Sequence, residues 1–168
     1  MIWACTSGSF VFGWEGAQRQ VSELGRFAGV PSSSTSLAFV DALATLGINR
    51  VSIAATYPEP VTTHFVALLA DAGIEVVGAR SNDIMTAADA GSVGAEAVDA
   101  LVRAGDHPDA QAILVPDTAL HTVRLIPALE AALQKPVLSA NQVSVWEALC
   151  LAGARPTGDD GSRLFAAA

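Results

Sequence analysis

The stretch Val51-Ser52-Ile53-Ala54-Ala55-Thr56-Tyr57-Pro58 decides the fold class. Its apolar start, with β-branched Val51 and Ile53, reads as a buried strand, and Pro58 with Pro60 reads as the opening of a helix. Working outward, the same switch recurs. Upstream, Ser34 or Thr35 can cap a helix whose apolar face is Leu37, Val40, Leu43 and Ala44 and which stops at Leu46-Gly47. Downstream, Val61, Phe65, Leu68 and Leu69 form one helical stripe closing at Ala72-Gly73, and Ile74-Glu75-Val76-Val77 is the next strand. Gly78 to Gly91 reads as an irregular loop with a turn of helix, the kind of segment at a sheet end that carries function. A helix over 93–104, a strand at Ala112-Ile113-Leu114-Val115, a helix over 121–133 with Pro127 inside it, a strand at Pro136–Ser139 and a helix over 143–151 stopped by Gly153 complete the series. Alternation of this kind predicts an α/β protein with parallel sheet. The tail from Arg155, rich in Gly, Asp and Ala, is expected to be loosely ordered.

Composition narrows the partners. A chain of 168 residues with 51% hydrophobic and 15% charged residues supports one good core or two small ones. Nine basic residues against 17 acidic ones, a net charge of -8, argue against nucleic acid or an anionic membrane as partner. A small anionic substrate remains compatible where donors are concentrated locally. No apolar run approaches the roughly 18–20 residues of a membrane span, and the start lacks the basic region of a signal peptide. The two cysteines, Cys5 and Cys150, are too few for a disulfide framework and sit in no metal-binding spacing, which fits a reducing cytoplasm. No glycine-rich nucleotide fingerprint is present, and no cofactor or metal is expected.

The chemistry concentrates in Ala4-Cys5-Thr6-Ser7-Gly8-Ser9, where a thiol stands among hydroxyls and a glycine at a strand end. That is where α/β sheets keep their reactive groups. Hydroxyls and free backbone N–H groups there can hold an anion, and small residues let a substrate approach the backbone. The plain alternative is a buried structural cysteine before a turn.

Four segments, in order, resemble a known superfamily. They are the Cys5 motif; Pro31 to Ala42 with Leu46-Gly47; Ala55-Thr56-Tyr57-Pro58; and Pro136-Val137-Leu138-Ser139-Ala140-Asn141-Gln142 with Trp146. Together they are similar to the cofactor-independent Asp/Glu racemase superfamily, most closely its maleate cis-trans isomerase and arylmalonate decarboxylase branch. The resemblance implies two facing, doubly wound parallel-sheet half-domains with the active site in the cleft between them and one catalytic position from each half. Cys5 matches the first position. The second falls in Leu114-Val115-Pro116-Asp117-Thr118, where racemases and isomerases carry a cysteine and this chain has Asp117. Two-thiol racemisation, which needs a suitable group on both faces, is therefore disfavoured. The branch also has a further β-α-β stretch ahead of the cysteine motif, whereas Met1-Ile2-Trp3 already reads as strand. The first half-domain is thus expected to be incomplete, formed by residues 1–33 with 143–168, and 34–142 form the second. A sheet edge left unpaired favours a homo-oligomer.

The resemblance sharpens the candidates. Cys5 is the nucleophile or acid/base, with Thr6 and Ser7 as carboxylate or oxyanion donors, against ordinary turn capping. Tyr57 can donate its phenol to a carboxylate or enediolate, against a ring packed with its hydroxyl at the surface. Asn82 matches an asparagine that isomerases set against the substrate carboxylate, though loop asparagines are often turn formers. Asp117 is a general acid or base across from the thiol, or only the cap of the helix near His121. Thr118 can donate through its hydroxyl, while His121 is read as an exposed residue in the first turn of a helix and Cys150 as core or interface and not catalytic. The leading reading is a cofactor-free isomerase or decarboxylase of a small carboxylic or dicarboxylic acid. The other is a catalytically degenerate protein that keeps a small-carboxylate pocket.

Overall fold

The strands of the computed structural model, which describes residues 1–154, 156 and 161–167, all pair in parallel and sort into two sheets. The smaller pairs β1 (Ile2–Trp3) with β2 (Ser33–Ser34), setting Ile2 against Ser33 and Trp3 against Ser34. Between them lie α1 (Ser7–Phe10) and α2 (Gly13–Ala28). The larger sheet has the order β4-β3-β5-β6, from β3 (Arg50–Ala54), β4 (Glu75–Arg80), β5 (Ala112–Val115) and β6 (Val137–Ser139). The chain runs from β3 outward to β4, then returns across β3 to place β5 on its other side. The order therefore reverses between β3 and β5, and the carboxyl ends of these two strands flank the crevice where open α/β sheets bind ligands.

Local chemistry explains the helices. α3 (Thr35–Leu46) is capped by Ser34, whose Oγ accepts from Leu37 N at 3.4 Å, and ends at Gly47 with φ 66°. α4 (Glu59–Asp71) begins after Pro58, and α5 (Ala87–Gly91) is capped by Thr86, whose Oγ1 accepts from Asp89 N at 3.1 Å. α6 (Ala95–Ala104) ends at Gly105, where an added Cβ would lie 2.6 Å from Ala54 Cβ, so this glycine lets the helix end close on β3. α7 (Ile126–Leu133) follows one turn of 3-10 helix at Val123–Leu125, so Pro127 produces a late start and no kink. α8 (Ala140–Leu151) packs against α3.

Phe10, Phe39, Phe65, Leu43, Leu68 and Leu114 belong to the larger core cluster, and Ile113, Val115, Leu120 and Leu129 to a second on the opposite sheet face. An aromatic chain runs through the first: Phe10 to Phe65 at 5.3 Å and Phe65 to Phe39 at 5.4 Å between ring centroids. It ties the short α1 to α3 and α4.

Four sequence expectations change. β4 continues three residues past Val77, because Ser52, Ile53 and Ala54 pair with Gly78, Ala79 and Arg80. α8 starts at Ala140, three residues before the helix expected over 143–151. α2 lies in a stretch to which the sequence reading assigns no element; its residues Trp14, Ala17, Val21 and Leu24 have helical spacing. The tail expected to be loose from Arg155 falls partly outside the described residues, but α9 (Arg163–Ala166) is a helix whose Leu164 is fully buried in the larger core. Buried Glu130 holds this segment, accepting from Arg163 N at 2.9 Å through one oxygen and from Val137 N at 3.0 Å through the other. Among the described residues no helix is long and apolar enough to cross a membrane.

Candidate active site

The carboxyl ends of β3 and β5 are stitched together by side chains. Thr56 donates its hydroxyl to Asp117 Oδ2, and Tyr57 donates its phenol to Pro116 O at 2.9 Å. Asp117 Oδ1 accepts from Ala119 N at 2.8 Å, which turns the chain sharply after β5. Asn141, at the start of α8, donates Nδ2 to Thr118 O at 3.1 Å and to Leu120 O at 3.2 Å and so holds the same turn from below. On the other side Ile84 N donates to Thr56 O at 2.8 Å, docking the loop that follows β4.

From the smaller sheet, the turn after β1 delivers Cys5 and α1. Ser36 donates to Thr6 O at 2.9 Å, and Ser9 donates to Ser34 Oγ at 3.0 Å. Gln20 of α2 donates to Gly8 O at 3.0 Å. Phe10 packs edge-on against Tyr57 with centroids 5.8 Å apart, so α1 and the end of β3 are fixed to each other.

These ends enclose a pocket of about 500 Å³. Its polar wall includes Cys5, Ser7, Tyr57, Asp117 and Thr118; its apolar wall includes Val11, Pro58, Val61, Ile84 and Met85. Cys5 Sγ lies 3.9 Å from Ser7 Oγ, the range of a sulfur hydrogen bond. Asp117 is 7% exposed and Tyr57 half-buried. Burial first, then the charge of Asp117, pushes the Tyr57 phenol far above its ordinary range, while the Thr6 hydroxyl acts the other way. Tyr57 is thus a neutral hydrogen-bonding group at any working pH.

Five of the seven residues singled out from sequence therefore meet at one pocket: Cys5, Ser7, Tyr57, Asp117 and Thr118. Two do not line it. Thr6 is only 1% exposed, and its Oγ1 closes no hydrogen bond of good geometry. Asn82 is exposed, and its neighbours Ser81 and Asp83 line a separate cleft of about 440 Å³ with Arg80 and Glu59. β4 runs on to Arg80, which carries the Asn82 segment past the crevice before the chain turns back at Ile84. Sequence reading missed Thr56 and Asn141 as holders of the site and Val11, Ile84 and Met85 as its apolar wall. Thr56 and Asn141 both lie inside motifs already quoted, and only their partners were invisible. Cys150, expected in the core or an interface, is exposed instead and lies outside the pocket lining, and burial followed by the charges of Glu147 and Asp41 pushes its thiol up.

Comparison with known proteins bears on the family and the fold. The family model described as arylmalonate decarboxylase matches residues 2–165. A curated arylmalonate decarboxylase from Bordetella bronchiseptica is 34% identical over 140 residues, covering 82% of this chain and 58% of the relative. The chain thus spans little more than half of that protein. A solved structure of arylmalonate decarboxylase in the liganded form, carrying one glycine-to-cysteine and one cysteine-to-serine change, superposes with a TM-score of 0.93 at 29% identity over 98% of this chain and 71% of that one. A maleate isomerase variant from Pseudomonas putida S16, solved with maleate, also gives 0.93, at 22% identity over 100% and 70% of the two chains, and shares the fold.

Proposed function

The chain belongs to the arylmalonate decarboxylase family, and from that premise we propose that it is a cofactor-independent decarboxylase of a small malonate-type acid, with Cys5 as the proton donor. The observation that carries this reading is that Cys5 is the single thiol of a pocket that Asp117 also lines. Decarboxylation needs one proton donor. The bond between the α-carbon and the departing carboxylate breaks, carbon dioxide leaves, and the electron pair stays as an enediolate on the retained carboxylate. Cys5 then gives its S–H proton to the α-carbon, and its thiolate regains a proton from water.

Ser7 and Thr118 have hydroxyls on the pocket wall to hold the enediolate oxygens. Tyr57 has one proton, already given to Pro116 O, so it donates to substrate only by exchanging that bond. Its first role is to keep the end of β3 against the end of β5. Thr6 supports the thiol-bearing turn from inside, and Asn82 has at most an indirect part. Val11, Val61 and Ile84 offer apolar surface for the substituent on the α-carbon. Residues 1–33 with 143–168 form one half of this arrangement and 34–142 the other. Both cysteines are free thiols, which supports a reducing compartment such as the cytoplasm. The exposed apolar side chains Phe12, Phe27 and Val30 support a homo-oligomer.

The test is proton NMR in deuterated buffer with methylmalonate, phenylmalonate and maleate, comparing the protein with Cys5→Ala. The expected result is a monocarboxylate carrying one deuterium at the α-carbon, with a loss of about 100-fold or more on removing the thiol. Fumarate from maleate would assign isomerisation instead, by thiolate addition, rotation and elimination. Silence with all three and with aminomalonate would leave a carboxylate-binding protein without turnover.

A further inference from the structure

We propose that Asp117 selects a substrate carrying a protonated amine beside the reacting carbon, so that this chain acts on amino-substituted malonates in preference to plain ones; the inference rests on the decarboxylase reading above. Asp117 lines the pocket yet is 7% exposed, and a charge so far removed from water calls for compensation. Its oxygens accept one hydrogen bond each, from Thr56 and from Ala119 N. A carboxylate has about four acceptor positions, so about two stay open. Among the described residues the pocket lining contains no Lys, Arg or His, and no ion pair involves Asp117. Among the described residues the site thus presents a negative wall with spare acceptors and no cation of its own.

A plain malonate brings two negative charges toward that wall. An α-ammonium group reverses the sign of the encounter: it supplies three donors and a positive charge where the acceptors are open, and offsets one substrate carboxylate. The retained carboxylate then falls to the hydroxyls of Ser7 and Thr118, and the α-carbon faces Cys5. The reaction balances as before. An α-ammonium malonate, net charge about -1, loses carbon dioxide, takes the Cys5 proton at the α-carbon, and leaves as a zwitterionic amino acid.

Aminomalonate and methylmalonate differ at the α-carbon only by ammonium against methyl, and their protection of Cys5 from iodoacetamide reads binding without requiring turnover. Peptide mass mapping follows Cys5, with Cys150 as the internal reference. The expected result is that aminomalonate protects Cys5 at a concentration lower by about tenfold or more, the scale of a hydrogen-bonded charge pair. In Asp117→Asn, which can still accept from Ala119 N, that ratio should collapse toward about one. Equal protection in the unaltered protein, protection by neither acid, or a ratio unchanged in a folded Asp117→Asn each overturns the inference. Should Asp117→Asn fail to fold, the ratio in the unaltered protein decides alone. Loss of the decarboxylase reading registers separately, as absence of Cys5-dependent product from either acid.

Discussion

Gly8 sits where a side chain has almost no room. An added Cβ would meet Cys5 Sγ and Trp3 Nε1, each at 3.1 Å, so Gly8→Ala must displace the thiol or the indole by a few tenths of an ångström. Catalysis is sensitive to such shifts, while the half-exposed Trp3 can yield at modest cost. Expected is a fall in kcat of about tenfold with stability lowered by only about 1 kcal/mol, read by steady-state kinetics beside thermal unfolding. An unchanged kcat would show that the exact seat of Cys5 is immaterial, against its role as proton donor. At this scale much was legible before any coordinates. Cys5 and Ser7 stand out because a thiol among hydroxyls at a strand end is a local pattern, whereas Tyr57, Asp117 and Thr118 are singled out by the family resemblance. Asn82 shows the limit, since whether a loop residue faces a crevice depends on how far the preceding strand runs.

The contact of α3 with α8 carries an acidic pair that sequence periodicity does not reveal. Glu147 on α8 is buried, and burial followed by the charge of Asp41 on α3 raises its carboxyl above the ordinary value, with Ser33 acting the other way; burial also raises Asp41. The folded protein therefore keeps the Glu147 proton to higher pH than the unfolded chain does. Stability from this group is complete below its unfolded value and is lost as pH rises through the folded one. Melting temperature should fall as pH rises above the ordinary glutamate range, and Glu147→Gln should raise it at the upper end and flatten the slope. A slope identical in the two proteins would sink this account. Element boundaries were legible where caps stand in the sequence, as with Ser34 and Gly47. They were not where partners set the end, as with β4; α2, whose apolar residues do have helical spacing, was legible and went unread.

Across the whole molecule, the larger core is closed by a residue far along the chain. Leu164 is fully buried among residues contributed by α3, α4 and the sheet, so Leu164→Ala opens a cavity and should cost about 2–4 kcal/mol in urea unfolding with an unchanged m-value. A cost below about 0.5 kcal/mol would mean that α9 is not part of the cooperative unit. The sequence by itself determined the alternation of strand and helix from Ser34 to Ser139 and the α/β class, and singled out the cysteine turn as a candidate seat of chemistry. These follow from hydrophobic period, caps and strand-end composition, all of which act over a few residues. Only the tertiary structure decided that β3 and β5 lie side by side, that Thr56 and Tyr57 bond across to Asp117 and Pro116, that Cys5 opens onto the same pocket, and that the tail returns to the core. Such contacts join residues tens of positions apart and depend on which strands the chain chooses to pair. Periodicity, which records only the face a residue presents, does not encode that choice.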